Sequence, residues 1–192
     1  MYVSTMKTLE YLRKKCASYR PGHIDYCWFS DTFLMFCPDD SLQAYRIIQS
    51  AAKRFMHSCI SSRIPMRGAI AVGSLLRSPD KRSFVGKGFL EAFEYAEDQD
   101  WIGLLLTPNA VKKTESYGSS PIHHDFVRSD IIPMRKFAGH NVLAYRFQDG
   151  AANSPCLLLP KLHDMKMSSP EHCRDKYDRT MKFIEKHYRW LK

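Results

Sequence analysis

Asp31 is the residue of this sequence whose type and position point most directly to chemistry. The runs 24–29 and 32–37 are rich in aromatic and aliphatic residues, and only Ser30 and Asp31 separate them. This pattern predicts a β-hairpin with an aspartate at its tight turn. A carboxylate there can reach a divalent cation without being buried. Alternatively, Asp31 only forms the turn, which is the commoner role of an aspartate at such a position.

Other residues with metal-binding or nucleophilic chemistry form weaker patterns. His123, His124 and Asp125 could bind a metal ion, but adjacent strand residues point to opposite faces, and such a pair is more typical of a surface loop. The sequence has no P-loop, no G-x-G-x-x-G and no spacing that singles out a nucleophile. The cysteines show neither a C-x-x-C pair nor zinc-finger spacing, which predicts buried thiols in a reducing cytoplasm. They are Cys16, Cys27, Cys37, Cys59, Cys156 and Cys173.

The elements that would position Asp31 follow from hydrophobic periodicity. Helical spacing predicts helices over 5–19, 42–59, 89–99 and 108–117. Alternating or continuous apolar runs predict further strands over 66–73, 101–107 and 141–148, with glycines in 66–73 that indicate close backbone approach. This order of elements predicts an α+β fold with helices packed on a mostly antiparallel sheet. In the helix over 89–99, the periodicity places Phe89, Ala92, Phe93 and Ala96 inward and Glu91, Glu94, Glu97 and Asp98 outward.

Length and composition limit the class of protein. The chain has 192 residues, 44% hydrophobic and 26% charged, which fits one globular domain. No apolar stretch approaches the ~20 residues of a membrane helix, and the N-terminus shows no secretory signal. We therefore expect a cytoplasmic protein that does not bind membranes. The formal net charge is +9, but the basic residues are spread along the chain, so direct nucleic-acid binding is unlikely.

Four blocks in the order of the chain resemble the class III nucleotidyl cyclase domain. They are Trp28–Leu34, Arg67–Gly73, Phe84–Gly88 and Glu91–Glu94, and the resemblance spans about residues 5 to 148. Within that class the chain is similar to small prokaryotic cyclases of the Pycsar type, which implies a role in antiviral defence. The resemblance also implies a ferredoxin-like sheet with helices packed on it.

The resemblance assigns Asp31 as the catalytic aspartate and as a ligand of one of two Mg²⁺ or Mn²⁺ ions. Such an ion lowers the pKa of a 3′-hydroxyl, and a second ion holds the triphosphate of a nucleoside triphosphate. The implied reaction yields a cyclic mononucleotide and pyrophosphate. Since sites of this family form across two subunits, the resemblance also implies a homodimer.

The sequence departs from the family pattern at the metal site. The family's second metal-binding aspartate lies on a first strand that precedes the helix over 5–19, and this chain begins at that helix. Asp25 cannot replace it, because six residues of strand separate Asp25 from Asp31 by about 20 Å. We expect the first strand to be absent, which favours a truncated chain. The alternative is a divergent chain that recruits another strand.

A second departure concerns the helix after Gly88. Leu90 and Glu94 occupy the positions where family members carry an asparagine and an arginine, and a glutamate cannot neutralise phosphate charge. Lys87 and Arg67 do not match those positions, and Arg67 is more typical of a strand residue that pairs with a carboxylate. We therefore expect the isolated chain to be inactive. The alternative is a pseudo-cyclase whose acidic helix face and basic tail helix bind partners.

The C-terminal part is predicted to be separate from the cyclase-like domain. The segment 149–155 has the composition of a linker, which divides the chain into 1–148 and 149–192. Beyond it, Ser169 and Pro170 predict the start of an amphipathic helix. That helix either docks on its own domain or pairs with a second subunit. Its apolar stripe consists of Tyr177, Met181, Ile184, Tyr188 and Leu191.

Overall fold

The computed structural model confirms the α+β class. It describes residues 10, 14, 24–29, 31–78, 83–118, 125–147 and 158–187, which contain five α-helices and small mixed sheets. The chain divides into two compact units, Met1–Ile64 and Pro65–Lys192. Within the described ranges, no helix is long and apolar enough to cross a membrane.

The first unit contains the predicted hairpin and the helix that follows it. Strand β1 (Asp25–Phe29) pairs antiparallel with β2 (Thr32–Phe36), and Phe29 lies opposite Thr32, which confirms the two-residue turn. Helix α1 spans Leu42–Ser61, and its N-cap Ser41 accepts a hydrogen bond from the Ala44 amide at 3.1 Å. Much of the predicted helix over 5–19 lies outside the described residues.

In the second unit, short strands alternate with helices, and most strands are shorter than the apolar runs that predicted them. The core strands Leu104–Leu106 and Leu143–Tyr145 are buried along their whole length, because they are covered on both faces. In chain order the elements are β3 (Gly68–Ile70), β4 (Leu76–Arg77), β5 (Phe84–Val85), α2 (Lys87–Asp98), β6 (Leu104–Leu106), α3 (Pro108–Ser116), β7 (Phe126–Val127), β8 (Leu143–Tyr145), α4 (Leu158–Ser168), a 3-10 helix (Glu171–Cys173) and α5 (Arg174–His187).

Four of these strands form one sheet in the order β3, β6, β8, β7. The β3–β6 pairing is parallel, and the β6–β8 and β8–β7 pairings are antiparallel, so the sheet is mixed but mostly antiparallel. Strands β4 and β5 form a separate hairpin. This hairpin was not among the predicted elements, because two-residue strands leave too little periodicity to detect.

A close backbone approach joins the loop after β3 to the start of α2. A Cβ atom on Gly73 would lie 2.7 Å from the Gly88 amide nitrogen, and one on Gly88 would lie 2.9 Å from the Gly73 carbonyl oxygen. Only glycine fits at both positions, as the sequence predicted for Gly73. Gly86 is the N-cap of α2, with φ of 150°, so the segment after it is helical and not a turn.

Helix α5 docks on its own unit. The Phe183 ring packs edge-on against Trp101 with centroids 4.7 Å apart, and both side chains are almost fully buried. The Thr180 hydroxyl accepts a hydrogen bond from the Ile102 amide at 2.9 Å. The preceding helix α4 was not predicted, because Pro160 in its first turn interrupts a pattern that has only three buried positions.

Two expectations for α2 were wrong. Phe93, placed inward by periodicity, is 45% exposed, whereas Asp98, placed outward, is 5% exposed. The Asp98 carboxylate accepts hydrogen bonds from the amides of Lys136 (2.7 Å) and Phe137 (2.9 Å), which offset the cost of its burial. Tyr95 takes the inward position and stacks on Phe137 at 4.5 Å.

Candidate functional site

Asp31 lies where the sequence placed it, exposed at the turn between β1 and β2. A two-residue connection forces the strands to reverse directly, and short polar residues tolerate that geometry. The carboxylate is therefore presented to solvent from a rigid pair of strands. This placement suits both a cation ligand and a simple turn former.

The hairpin is held to α1 by aromatic packing close to the turn. The Phe33 ring lies 4.5 Å from that of Phe55, which is 3% exposed on α1, and 5.4 Å from that of Trp28 on the partner strand. Offset aromatic pairs of this kind add to the stability that burial alone supplies. Because Phe33 is two residues from Asp31, the packing fixes the position of the turn.

The other carboxylates of this unit are not grouped around Asp31. Asp25 begins β1 opposite Phe36, at the far end of the hairpin. Asp39 accepts a hydrogen bond from the Ser41 amide at 2.9 Å, and its bonds with Ser41 lower the pKa of the Asp39 carboxyl. Among the described residues, no group of three or more histidine, cysteine, aspartate or glutamate side chains could hold a metal ion.

One exposed carboxylate nevertheless fits one way in which proteins bind Mg²⁺. Mg²⁺ commonly keeps several water molecules and is held by one or two carboxylates together with the phosphates of a substrate. Asp31 supplies one hard oxygen ligand with open solvent around it. Asp31 could therefore supply one ligand to a cation that other groups also hold, and the described residues around it do not form a cage for a cation.

The positions that the family resemblance links to nucleotide binding are exposed on α2. Leu90 is 51% exposed, and Glu94 is also exposed. Arg67 donates a hydrogen bond to the Gln99 carbonyl oxygen at 3.0 Å and pairs with Glu97 at 2.7 Å. The expectation that Arg67 pairs with a carboxylate is thus confirmed, and its guanidinium is occupied within its own unit.

A polar group after α2 was missed by the sequence analysis. The Gln99 side chain is fully buried, donates to the carbonyl oxygens of Gly68 (2.9 Å) and Tyr95 (3.2 Å), and accepts from the Trp101 indole (3.0 Å). It joins α2 to β3 and holds Trp101 for the docking of α5. A glutamine followed by Asp100 and Trp101 carries no sequence signal for this role.

The remaining candidates are the histidine pair with its neighbouring aspartate, and the cysteines. His123 and His124 lie outside the described residues, and Asp125 is half-buried at the start of β7. None of Cys27, Cys37, Cys59 and Cys173 forms a disulfide; Cys59 is buried as predicted, whereas the other three are half-buried. Cys16 and Cys156 lie outside the described residues.

Comparisons with known proteins identify no relative. The chain matches no protein-family model, no curated protein and no solved structure. The fold and the residues described above are therefore the whole basis for assigning a function.

Proposed function

We propose that the chain is a class III nucleotidyl cyclase-like domain. In this proposal a cytoplasmic homodimer whose two-metal site is complete converts a nucleoside triphosphate to a cyclic mononucleotide and pyrophosphate, and the isolated chain by itself is expected to be inactive. The observation that carries the proposal is the exposed carboxylate of Asp31 at a tight hairpin turn, fixed by the packing of Phe33 on Phe55. Its four sequence blocks and the α+β class support it further.

Asp31 would bind the divalent cation that accompanies the triphosphate. Mg²⁺ or Mn²⁺, when bound, lowers the pKa of the ribose 3′-hydroxyl and offsets the charge of the phosphates. The 3′-hydroxyl gives up its proton to water, its oxygen forms a bond to the α-phosphorus, the bond from that phosphorus to the bridging oxygen breaks, and pyrophosphate leaves. Asp31 itself orients the complex and need not accept the proton.

The second candidate function is that of a pseudo-cyclase, a catalytically inactive relative that binds a partner. Leu90 and Glu94 favour it, because one is apolar and the other acidic at positions where the resemblance expects side chains that orient ribose and neutralise phosphate. Among the described residues, no cation replaces the missing arginine on that face of α2 except Lys87 at its first turn.

Pyrophosphate release separates the two candidates. Two forms are incubated with each of the four nucleoside triphosphates and Mn²⁺. One is the purified chain, and the other also includes the residues encoded in the same frame upstream of Met1. The cyclase proposal predicts release that Asp31→Ala abolishes and Asp25→Ala, the same change at the far end of the hairpin, preserves. Absence of release from both forms rejects it in favour of the pseudo-cyclase.

A further inference from the structure

Helix α2 carries an exposed stripe that makes few contacts within its own unit. Lys87, Leu90, Phe93, Glu94 and Glu97 are all exposed, and their positions lie within an arc of about 120° on a helix of 3.6 residues per turn. We call these five residues the α2 stripe. Leu90 is 51% and Phe93 45% exposed, with Leu90 at the centre of the arc and Phe93 at one edge.

The opposite face of α2 holds the helix in its unit. Tyr95 is buried against Phe137, and the buried Asp98 carboxylate binds two backbone amides. Glu91 accepts hydrogen bonds from the backbone (3.2 Å) and side-chain (2.8 Å) amides of Asn109 at the start of α3. Apart from Glu97, which pairs with Arg67, the α2 stripe contributes little to the fold of its own chain.

Exposed apolar surface is concentrated around the α2 stripe. Four of the six large apolar side chains that are exposed in the described residues lie on α2 or on the adjoining β4–β5 hairpin. On that hairpin, Leu76 is 67% and Val85 59% exposed, and the two residues pair directly across the strands. A local concentration of this kind marks an interaction surface more often than single exposed apolar residues do.

The charges of the α2 stripe are arranged against the helix dipole. The first turn contains Lys87 and no acidic residue, and the last turn contains no basic residue. Glu94 and Glu97 instead lie toward the C-terminal end, where the dipole is negative. Because the dipole acts mainly on the terminal turns, Lys87 in the first turn and Glu97 in the last turn are unfavourably placed in an isolated helix. This arrangement becomes favourable when a second helix of the same charge pattern lies antiparallel to α2.

A second copy of this chain supplies such a helix. Within the described ranges, Lys87 and Glu94 have no ion-pair partner, and seven residues of helix separate them by about 10 Å. In an antiparallel pair, Lys87 of each copy faces Glu94 of the other, and Leu90 and Phe93 are covered between the two ion pairs. A two-fold axis requires such a self-complementary surface.

We propose that two copies of this chain associate through their α2 stripes in antiparallel orientation. The proposal goes beyond the proposed function, because it concerns only the association of two copies and requires neither metal nor nucleotide. It also explains an apolar and an acidic residue at positions 90 and 94, because both serve the contact between copies.

The test is the molecular mass of the full chain in solution, measured by sedimentation equilibrium without metal or nucleotide. The wild-type chain is expected to be dimeric, and Leu90→Asp is expected to weaken the dimer at least tenfold. Met167→Asp, which changes a 60% exposed apolar residue on α4, is the matched control and should leave the dimer intact. Circular dichroism verifies that each variant is folded.

Exchange of charges tests the antiparallel orientation. Lys87→Glu and Glu94→Lys should each weaken the dimer, because like charges then face one another. The double variant should restore it, because the exchange re-forms both pairs. A monomeric wild-type chain, a dimer that Leu90→Asp leaves intact, or a double variant no stronger than the single variants would overturn the proposal. These outcomes are independent of pyrophosphate release, so either proposal can fail alone.

Discussion

At the scale of single residues, carboxylates of the same type serve different ends according to their surroundings. Asp98 is buried and binds the amides of Lys136 and Phe137, so it acts in the fold. Asp31 is exposed at a turn, and Leu90 and Glu94 are exposed on a helix. The side chains available to solutes are therefore the exposed ones, and Asp31 is the carboxylate among them that lies at the turn of the hairpin, with Asp25 at the far end.

Cys37, in the loop that follows the same hairpin, is predicted to react slowly with alkylating reagents. Burial, and secondly the charge of Asp39, raise the pKa of the Cys37 thiol to about 11. Since the thiolate is the reactive form, Cys37 should react slowly with iodoacetamide at pH 8, and its rate should increase up to about pH 11. Peptide mass spectrometry of the alkylated chain measures this rate.

Asp39→Asn provides the comparison for Cys37. Removal of the neighbouring charge should shift the pH profile to lower pH while burial still holds it above that of a free thiol. A Cys37 rate that levels off below pH 9 in the wild-type chain would show that its surroundings do not stabilise the thiol.

The position of Asp31 could be predicted from sequence because a tight turn between two apolar strands is a local feature. The burial of Asp98 could not, since its partner Lys136 lies 38 residues further along the chain. For the same reason the sequence pattern predicted only that Arg67 pairs with some carboxylate. It could not identify Glu97 or the Gln99 carbonyl as the partners.

At the scale of elements, α5 shows how a tail helix becomes part of its unit. Phe183 and Ile184 are fully buried, and Thr180 binds the backbone of Ile102. Long periodic helices such as α1 were predictable because their signal extends over several turns. Elements of two or three residues, and α4 with a proline in its first turn, were not, because tertiary packing decides them.

Truncation of Phe183 tests the docking of α5. Phe183→Ala removes the ring that packs on Trp101 and leaves a cavity, which should lower the free energy of unfolding by about 3–5 kcal/mol. Urea denaturation followed by circular dichroism measures this change. Met167→Ala on the exposed face of α4 is the control and should change stability by less than about 0.5 kcal/mol. Equal effects of the two substitutions would mean that α5 does not depend on the Trp101 contact.

At the scale of the whole molecule, the protonation of His187 at the end of α5 affects the stability of the folded chain. The chain carries a net charge of +9, yet several basic side chains are held in ion pairs. One pair joins Lys186 to Asp130 at 2.5 Å, and His187 beside it hydrogen-bonds the Ser129 hydroxyl at 2.8 Å. Burial, Lys186 and Arg146 lower the pKa of His187 against the opposing charge of Asp130.

The lowered pKa of His187 makes the free energy of unfolding depend on pH. The unfolded chain, with an ordinary histidine pKa of 6.5, binds the proton more tightly than the folded chain does. The free energy of unfolding should therefore be highest above pH 6.5 and fall as acid drives the pH through the lowered pKa of folded His187. Urea denaturation at pH 7.5 and 5.5 measures the loss. His187→Gln should lose less stability over this interval, and an equal loss would contradict the assignment.

Cation and nucleotide retention by the hairpin tests the central claim most directly. Equilibrium dialysis of the chain against Mn²⁺ and each nucleoside triphosphate measures how much of the complex the protein holds. Asp31→Asn removes the charge without changing the size of the side chain, and Asp25→Asn makes the same change at the far end of the hairpin. We predict at least tenfold weaker retention in Asp31→Asn and wild-type retention in Asp25→Asn. Equal retention by the two variants would contradict the role of Asp31.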